Sequence, residues 1–257
     1  MEEHFTDARP KQVRVADDLR AKIKTDVLEP GSLLPSLDTL AAEYRVSVTA
    51  MRRAIELLKN EGLVLSRQGK GNFVRTPVSV RRLGIDRYRR SIWSGDQGTP
   101  ILKAEAQSQG RVADQSIREM GERPAPAFVA DRLGISEGNP AWVRRRLTRI
   151  DERPNQTLDS WFPLAVVEEA PQLKEESTGT GGTFARLDEI GPITDIQEDL
   201  EARMPSGPEA ALLELPQGTP VYEVIRVIYA GERPMEVGRF VMAADMASFS
   251  YKFPIPE

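Results

Sequence analysis

The chain has 257 residues, of which 40% are hydrophobic and 29% are charged, with a net charge of −4. This length and composition favour one small and one medium-sized folded domain over a disordered chain. The sequence has no cysteine, and its only histidine is His4, which argues against disulfides, thiolate catalysis and Cys- or His-based metal sites. Because neither a long apolar run nor a secretory leader is present, we expect a cytoplasmic protein without membrane contact and without a cofactor.

Three helices are predicted in the first 62 residues. Apolar residues at helical spacing predict a first helix over Lys11 to Val27, and the following Pro30-Gly31 pair ends it. Ser36 and Ser47 stand where N-caps of two further short helices are expected, and Gly62 stands at the left-handed position that closes the last one.

The third predicted helix has one buried and one exposed side. Its buried stripe is formed by apolar residues at helical spacing: Val48, Met51, Ile55 and Leu58. Thr49, Ala50, Arg52 and Arg53 are left facing outward near the helix N-terminus, where free backbone N–H groups favour a phosphate. Residues 63–68 and 72–76 then predict a hairpin with Gly69-Lys70-Gly71 at its tip. Together these elements predict a winged helix-turn-helix.

The charge distribution supports DNA binding independently. Residues 44–90 contain 12 Lys and Arg against 3 Asp and Glu, whereas residues 91–257 contain 17 against 27. A basic recognition helix and wing beside an acidic remainder is typical of a phosphate-binding module that carries a second, non-DNA domain.

The second half of the chain contains an internal repeat at an offset of 80 residues. Residues 132–154 match residues 212–234, and each copy reads as a short helix, a Gly-x-Pro turn and a strand hairpin. Two such units predict an α+β domain with an antiparallel sheet and a pseudo-two-fold axis. Phe184 to Ile190 predicts a helix between the copies, and Thr194 to Met204 predicts a further strand.

Two stretches resemble a known family. The sequence PGSLLPSLDTLAAEYRVSVTAMRRAIELLKNEGLVLSRQGKGNFV resembles the DNA-binding domain of the GntR family. The segments RRRLTRIDERP, DSWFP and ERPMEVGRFVMAAD resemble the HutC-type branch, whose UTRA effector domain has a chorismate-lyase-like α+β fold. The resemblance implies a multi-domain α/β chain with a winged helix-turn-helix at 1–76, a hinge at 77–95, and a UTRA-like domain for effector binding and dimerisation at 96–257.

The resemblance also implies DNA-contacting residues. Ser47, Thr49 and Arg52 stand where the family contacts phosphates and bases. A base-reading arginine that is common in the family is Val48 here, so we expect Thr49 and Arg52 to carry more of the readout. The candidate DNA-binding residues are Ser36, Ser47, Thr49, Arg52, Arg53, Gln68, Gly69, Lys70 and Gly71.

The resemblance likewise implies effector-binding residues. The candidates are Arg144, Arg146, Thr148, Ser160 and Glu236. In members that bind sugar phosphates, two arginines hold the anion, and here the second of these is Thr148. We therefore expect a pocket that is less anion-seeking and more apolar. The alternative for Arg144 and Arg146 is an exposed or salt-bridged pair on a strand.

These residues favour a homodimeric repressor that binds double-stranded operator DNA and is released by a small-molecule effector of unknown identity. The alternative is a ligand-independent regulator, for example of plasmid transfer or maintenance, whose second domain only dimerises. An enzyme is disfavoured, because the chain lacks catalytic His or Cys residues and a phosphate-binding loop with its lysine.

Overall fold

The computed structural model describes residues 9–67, 69–75, 80–82, 84–216, 218–252 and 255. The chain forms two compact units: one contains the residues up to position 77 together with 215–219, and the other contains the remainder. In the described residues, the first unit is helical with a small hairpin, and the second surrounds a six-stranded antiparallel sheet. The predicted fold class is confirmed.

Helices and one hairpin build the N-terminal unit. They are α1 (Lys11–Lys24), α2 (Leu37–Glu43), α3 (Val48–Asn60), β1 (Val64–Arg67) and β2 (Gly71–Val74). Their apolar faces form one core, in which Leu19 and Met51 are almost inaccessible to solvent. The prediction that α1 extends to Val27 is wrong. The helix ends earlier, because Asp26 adopts a left-handed φ of 55° that cannot continue an α-helix.

The predicted helix caps are confirmed. The Ser36 side chain accepts a hydrogen bond from the Thr39 backbone N–H, and the Ser47 side chain accepts one from the Ala50 N–H, both at 3.1 Å. Gly62 has a φ of 69°, as expected for the left-handed residue after α3. Local chemistry therefore fixes where α2 and α3 begin and where α3 stops.

The cap of α3 can be tested by mutation. Replacing Ser47 with alanine is expected to lower the stability of the N-terminal unit by about 1 kcal/mol, because an N-terminal donor loses its partner. Ser47→Asp keeps a capping oxygen and should stay within a few tenths of a kcal/mol of the wild type. Native-state hydrogen exchange of the α3 amides measures both changes. Equal losses in the two variants would contradict the cap.

Strands and short helices build the described part of the C-terminal unit. The strands are β3 (Val80–Arg82), β4 (Ala113–Pro124), β5 (Pro140–Ile150), β6 (Arg153–Phe162), β7 (Asp195–Arg203), β8 (Val221–Ala230), β9 (Arg233–Ala243) and β10 (Ala247–Phe249). The helices are α4 (Arg90–Trp93), α5 (Ile101–Gln107), α6 (Ala127–Leu133), α7 (Leu164–Glu169), α8 (Gly182–Ile190) and α9 (Gly207–Leu212). The main sheet has the order β4-β5-β6-β9-β8-β7, and β3 pairs in parallel with β10.

The internal repeat is visible in this topology. Each half of the sheet is a strand, a short helix and a hairpin, and the first residues of α6 and α9, of β5 and β8, and of β6 and β9 are close to 80 positions apart. The two hairpins meet where β6 pairs with β9, and there Asp159 lies opposite Arg239. These two residues are themselves 80 positions apart. A pseudo-two-fold axis therefore passes through this pair, as the repeat predicts.

The two faces of the sheet bury different cores. Side chains alternate between faces along a strand, so Trp161 packs with α6 on one face while Phe162 packs with α7 and α8 on the other. The predicted helix before β7 is confirmed and begins slightly earlier, at Gly182. The face covered by α8 carries the polar cluster described below.

Residues 84–93 belong to the core of the C-terminal unit. They form a 3₁₀ helix, Gly84–Tyr88, followed by α4. The Tyr88 ring stacks on Phe184 with 5.5 Å between centroids, and Trp93 is only 2% exposed. The sequence places a hinge over residues 77–95, and its bounds stay a prediction.

Candidate DNA-binding surface and effector cavity

The first two turns of α3 expose a basic stripe. Thr49, Arg52 and Arg53 are exposed, because positions three and four apart share one side of a helix. Within the part of the chain that the structure describes, neither arginine makes an ion pair or a hydrogen bond. Glu56, the next residue on this stripe, accepts a hydrogen bond from Lys59 Nζ at 2.8 Å instead. The stripe thus presents two unengaged guanidinium groups.

The tip of the hairpin has the backbone that a DNA-contacting wing needs. Gly69 and Gly71 have φ values of 71° and 102°, which L side chains rarely adopt, and Lys70 between them is exposed. A Cβ on Gly71 would also lie 3.0 Å from Leu33 Cδ1. Gln68, the remaining predicted wing residue, lies outside the described residues.

A second basic surface of the N-terminal unit lies at the start of α1. Lys11 and Arg14 at the start of α1, together with Arg45 after α2, line a hollow of about 410 Å³. Asp18 lies there too, and the hydrogen bond from Tyr44 Oη holds the pKa of Asp18 below its ordinary value. The three basic side chains outnumber this carboxylate, so the hollow carries a net positive charge that attracts a phosphate.

A cavity of about 310 Å³ lies within the C-terminal unit. Its wall is formed by central strands of the sheet, the start of α5 and the loop that precedes α8. Its charged and amide side chains are Arg87, Arg144, Arg146, Arg226, Glu176, Gln115 and Gln156. Leu158, Phe184 and Phe240 supply apolar contact area. The cavity has the size and mixed lining of a small-molecule site.

The structure brings all five predicted effector residues together. Arg144 and Arg146 line the cavity and are 2% and 7% exposed, so their interpretation as exposed strand residues is wrong. Thr148, Ser160 and Glu236 are buried behind the lining. Thr148 Oγ1, for example, accepts a hydrogen bond from the lining residue Gln115 at 3.2 Å. These three residues orient lining side chains and do not face the cavity themselves.

One buried carboxylate connects the arginines of the two repeats. Arg146 Nη2 donates to Ser160 Oγ, which donates in turn to Glu236 Oε1. Arg226 Nη2 donates to Glu236 Oε2 at 2.6 Å. Arg146 and Arg226 are equivalent positions of the repeat, 80 residues apart. The pseudo-symmetry of the sheet therefore directs two guanidinium groups toward a single negative charge.

Arg144 is held without a carboxylate. Its guanidinium donates to the backbone carbonyls of Leu173 at 2.7 Å, Glu175, and Glu176 at 3.0 Å. Within the described residues it forms no ion pair. These hydrogen bonds fix the segment before α8 to the sheet, and the charges of Glu236 and Glu175 act on Arg144 without a direct ion pair.

Burial perturbs the arginines of the cavity wall. Burial lowers the pKa of Arg144, and burial lowers that of Arg146 to about 10, although the charge of Glu236 opposes both shifts. Burial also opposes the charged form of Arg226, but Glu236, Tyr88 and Glu198 together outweigh burial and raise the pKa of Arg226. An anion in the cavity would relieve this imbalance. The lining does not support the expectation of a less anion-seeking pocket.

The loop before α8 forms the rim of the cavity. Gly179 and Gly181 have φ values of 75° and 74°. A Cβ on Gly181 would clash with the Trp93 carbonyl oxygen, and the Gly181 N–H donates to Gly98 O at 2.8 Å. The glycines therefore allow the loop to approach α4 closely.

Two lining arginines were absent from the predicted set. Arg226 was predictable from the sequence, because the internal repeat aligns it with Arg146. The effector-binding candidates were taken from the resemblance to the family instead, and that set did not include Arg226. Arg87 gave no such signal, since it lies in the predicted hinge. Its inclusion follows only from the folded position of residues 84–88.

Other kinds of site were also sought. In the described ranges, no group of three or more His, Asp or Glu residues is arranged to hold a metal ion. None of the helices among those residues has the length and apolarity needed to cross a membrane. The candidate sites are thus built from guanidinium, amide, hydroxyl and carboxylate groups.

Comparisons with known proteins agree with this architecture. Residues 108–248 match the UTRA domain, and residues 11–74 match the gntR family of bacterial regulatory proteins. An uncharacterized HTH-type transcriptional regulator of Streptomyces coelicolor is 31% identical, over 96% of this chain and 94% of its own. The mannosyl-D-glycerate transport/metabolism system repressor MngR of Escherichia coli is 24% identical, over 96% and 95%.

Solved structures show the same fold. The crystal structure of a putative GntR-family transcriptional regulator, 28% identical, has a TM-score of 0.62 over 96% of this chain and 99% of that one. The structure of PhnF from Mycobacterium smegmatis, 21% identical, has a TM-score of 0.57 over 94% and 100%.

A winged module with an exposed basic helix, joined in one chain to an antiparallel domain with a cation-lined cavity, defines a DNA-binding regulator. The chain belongs to the GntR family of bacterial transcriptional regulators, in the branch that carries a UTRA domain. The resemblance inferred from the sequence is confirmed. The enzyme alternative is set aside, because the matching domains and relatives are transcriptional regulators.

Proposed function

We propose that this regulator is a homodimeric repressor that leaves its operator when a small anionic effector binds in the cavity of the C-terminal unit. Relatives named as repressors support the direction of regulation, among them MngR and the probable fructoselysine utilization operon transcriptional repressor of Escherichia coli, 23% identical. We assign DNA binding to residues 1–76, connection to 77–95, and effector binding and dimerisation to 96–257.

One observation carries the anionic character of the effector. Arg144 and Arg146 are buried in the cavity wall, and among the described residues neither has a carboxylate of its own. Burying a guanidinium without a counter-charge is costly, whereas a bound carboxylate or phosphate offers paired, charge-assisted hydrogen bonds. A neutral effector would leave this cost in place.

The DNA complex follows from the exposed groups of the N-terminal unit. Thr49 and Arg52 are assigned to base edges in the major groove, and Arg53, Lys70 and the hollow beside Arg45 to phosphates. A single module of this size buries only about 600–1,000 Å² on DNA. Two copies in a dimer would read a pseudo-palindrome with half-sites about one helical turn apart or closer.

The ligand-independent regulator remains the second candidate. Its support is Thr148, which replaces an arginine of sugar-phosphate-binding relatives and whose hydroxyl oxygen accepts a hydrogen bond from Gln115. In that case the C-terminal unit would serve for dimerisation alone, and occupancy of the cavity would not affect DNA binding.

Anion binding is expected to stabilise the C-terminal unit and to release DNA. Purified protein is titrated with inorganic phosphate, glucosamine 6-phosphate and glucosamine, which lacks the phosphate, at constant ionic strength. A bound anion at 100 times its Kd should add about 2.7 kcal/mol of stability, visible as a higher melting temperature. The same anion should dissociate the protein from a duplex selected from a random pool, whereas glucosamine should do neither.

The matched variants are Arg144→Met in the cavity and Arg123→Met on the exposed end of β4. Only the first should lose the anion response. An equal response to glucosamine would refute the anionic effector. Tight DNA binding that no tested anion changes, in a protein whose melting no anion shifts, would favour the ligand-independent regulator.

A further inference from the structure

Arg87 is a buried cation that the DNA-binding and effector assignments leave unexplained. It lies on the 3₁₀ helix Gly84–Tyr88 and is 3% exposed. Its Nη2 forms an ion pair with Glu105 Oε2 at 3.1 Å. Its Nε and Nη1 are buried without a hydrogen-bond partner among the described residues. Unsatisfied N–H groups on a buried charge are unfavourable, so this arrangement calls for an acceptor.

The side chain lines the same cavity as Arg144 and Arg146. The guanidinium lies 5.4 Å from the centroid of the Tyr88 ring, whose face is attractive to a cation but offers no strong acceptor. Its charge also contributes, after burial, to lowering the pKa of Arg82. An anionic oxygen in the cavity is therefore the acceptor that the surroundings of Arg87 lack.

Arg87 also occupies a special place in the chain. It stands between the winged module and the first strand of the main sheet, on a segment held at two points. Arg82 Nη2 and Tyr88 Oη both donate to Glu198 Oε1, at 2.9 and 2.5 Å. The Trp93 indole donates to Tyr88 O at 3.1 Å. The hydrogen bonds of Arg82 and Tyr88 to Glu198 thus tie residues on both sides of Arg87 to β7.

We propose that Arg87 contacts the anionic group of the effector directly and couples its binding to the connecting segment, residues 80–88. This inference rests on the proposed effector function. It adds the residue through which effector binding in the cavity affects the segment that follows the DNA-binding unit in the chain. The bound anion accepts from Arg87 Nε or Nη1 and so stabilises one position of the 3₁₀ helix. Such a difference in stability between free and occupied states is what regulation of a second site requires.

Two variants separate this role from simple structural support. Arg87→Lys keeps a positive charge beside Glu105 but removes the planar fork of donors. The double variant Arg87→Met/Glu105→Gln removes both buried charges together, so that neither is left uncompensated. Arg89→Lys is the matched control, because Arg89 directly follows this segment, is 67% exposed and pairs with Asp86.

Hydrogen exchange of the full chain is measured with and without inorganic phosphate at constant ionic strength. In the wild type and Arg89→Lys, phosphate should protect amides of residues 84–88 and 144–146. In Arg87→Lys and the double variant, the Kd for phosphate should rise about tenfold, since a charge-assisted hydrogen bond from the guanidinium is lost. At saturation, protection should return at 144–146 but not at 84–88.

The outcomes distinguish the two proposals. Protection of 84–88 in Arg87→Lys equal to that of the wild type, or a Kd changed less than twofold, overturns the role of Arg87. Wild-type protection at 144–146 without protection at 84–88 overturns it as well and leaves the anionic effector intact. No phosphate-dependent protection anywhere in the wild-type C-terminal unit overturns both.

Discussion

Replacing Arg52 with alanine is expected to reduce the preference for operator over unrelated duplex by about 5- to 150-fold, which corresponds to 1–3 kcal/mol. Arg52 is exposed on α3 and makes no ion pair or hydrogen bond in the described part of the chain, so its donors are available to a guanine edge. Val48 cannot replace it, because its side chain packs against the core of the N-terminal unit. Base recognition therefore depends on few side chains, and losing one of them has a large effect.

The measurement compares binding to a selected operator, to the same duplex with one guanine changed, and to unrelated DNA across a range of salt concentrations. Arg53→Ala and Lys70→Ala are matched controls on the same unit. Each should weaken binding to all three duplexes alike and reduce the salt slope by about 0.9, as expected for one lost phosphate contact. If Arg52→Ala behaves as they do, Arg52 contacts phosphate and the assignment of base readout fails.

The sequence predicts well those features that depend on neighbouring residues. Ser36, Ser47 and Gly62 act within one helical turn, so their roles follow from local chemistry. The repeat predicts the paired hairpins because equivalent apolar positions recur 80 residues apart. The early end of α1 was missed, because nothing before Asp26 in the helix pattern marks its left-handed backbone.

The cavity is less predictable, because its residues come from distant parts of the chain. Arg87, Arg146 and Arg226 meet only after the segment 84–93 and both hairpins have assembled. Alignment to relatives suggested that the replacement by Thr148 makes the pocket less anion-seeking. Folding supplies guanidinium groups from positions that such an alignment does not compare. The sequence contains the charged residues, but only the fold decides which of them share one wall.

The buried charges of the cavity wall are not explained by the stability of the fold. An apolar cluster of similar volume is often as stable as a buried ion pair or more so. Stability alone therefore does not favour keeping Arg144, Arg146 and Arg226 around Glu236. A requirement to bind an anion does favour keeping them. The same arginines that destabilise the empty protein stabilise the complex with the anion.

Removing the carboxylate of Glu236 is expected to destabilise the C-terminal unit by about 3–5 kcal/mol, because Glu236→Ala leaves buried charge without compensation. Glu236 is fully buried and joins Arg226, at 2.6 Å, to Ser160 and through it to Arg146. Urea unfolding followed by tryptophan fluorescence measures the loss. All three tryptophans, Trp93, Trp142 and Trp161, lie in the C-terminal unit, so the signal reports on it alone.

Two further variants test whether the loss of stability comes from the buried charge. Glu169→Ala removes a carboxylate from an exposed ion pair with Arg233, and it should cost only about 0.2–1 kcal/mol. Arg226→Met/Glu236→Met removes both partners of the buried pair and should recover most of the stability lost in Glu236→Ala, because no charge of that pair is left alone. A double variant as unstable as Glu236→Ala would show that packing, and not charge, is what Glu236 provides. If the double variant recovers its stability but loses the anion response, the pair is needed for effector binding and not for folding.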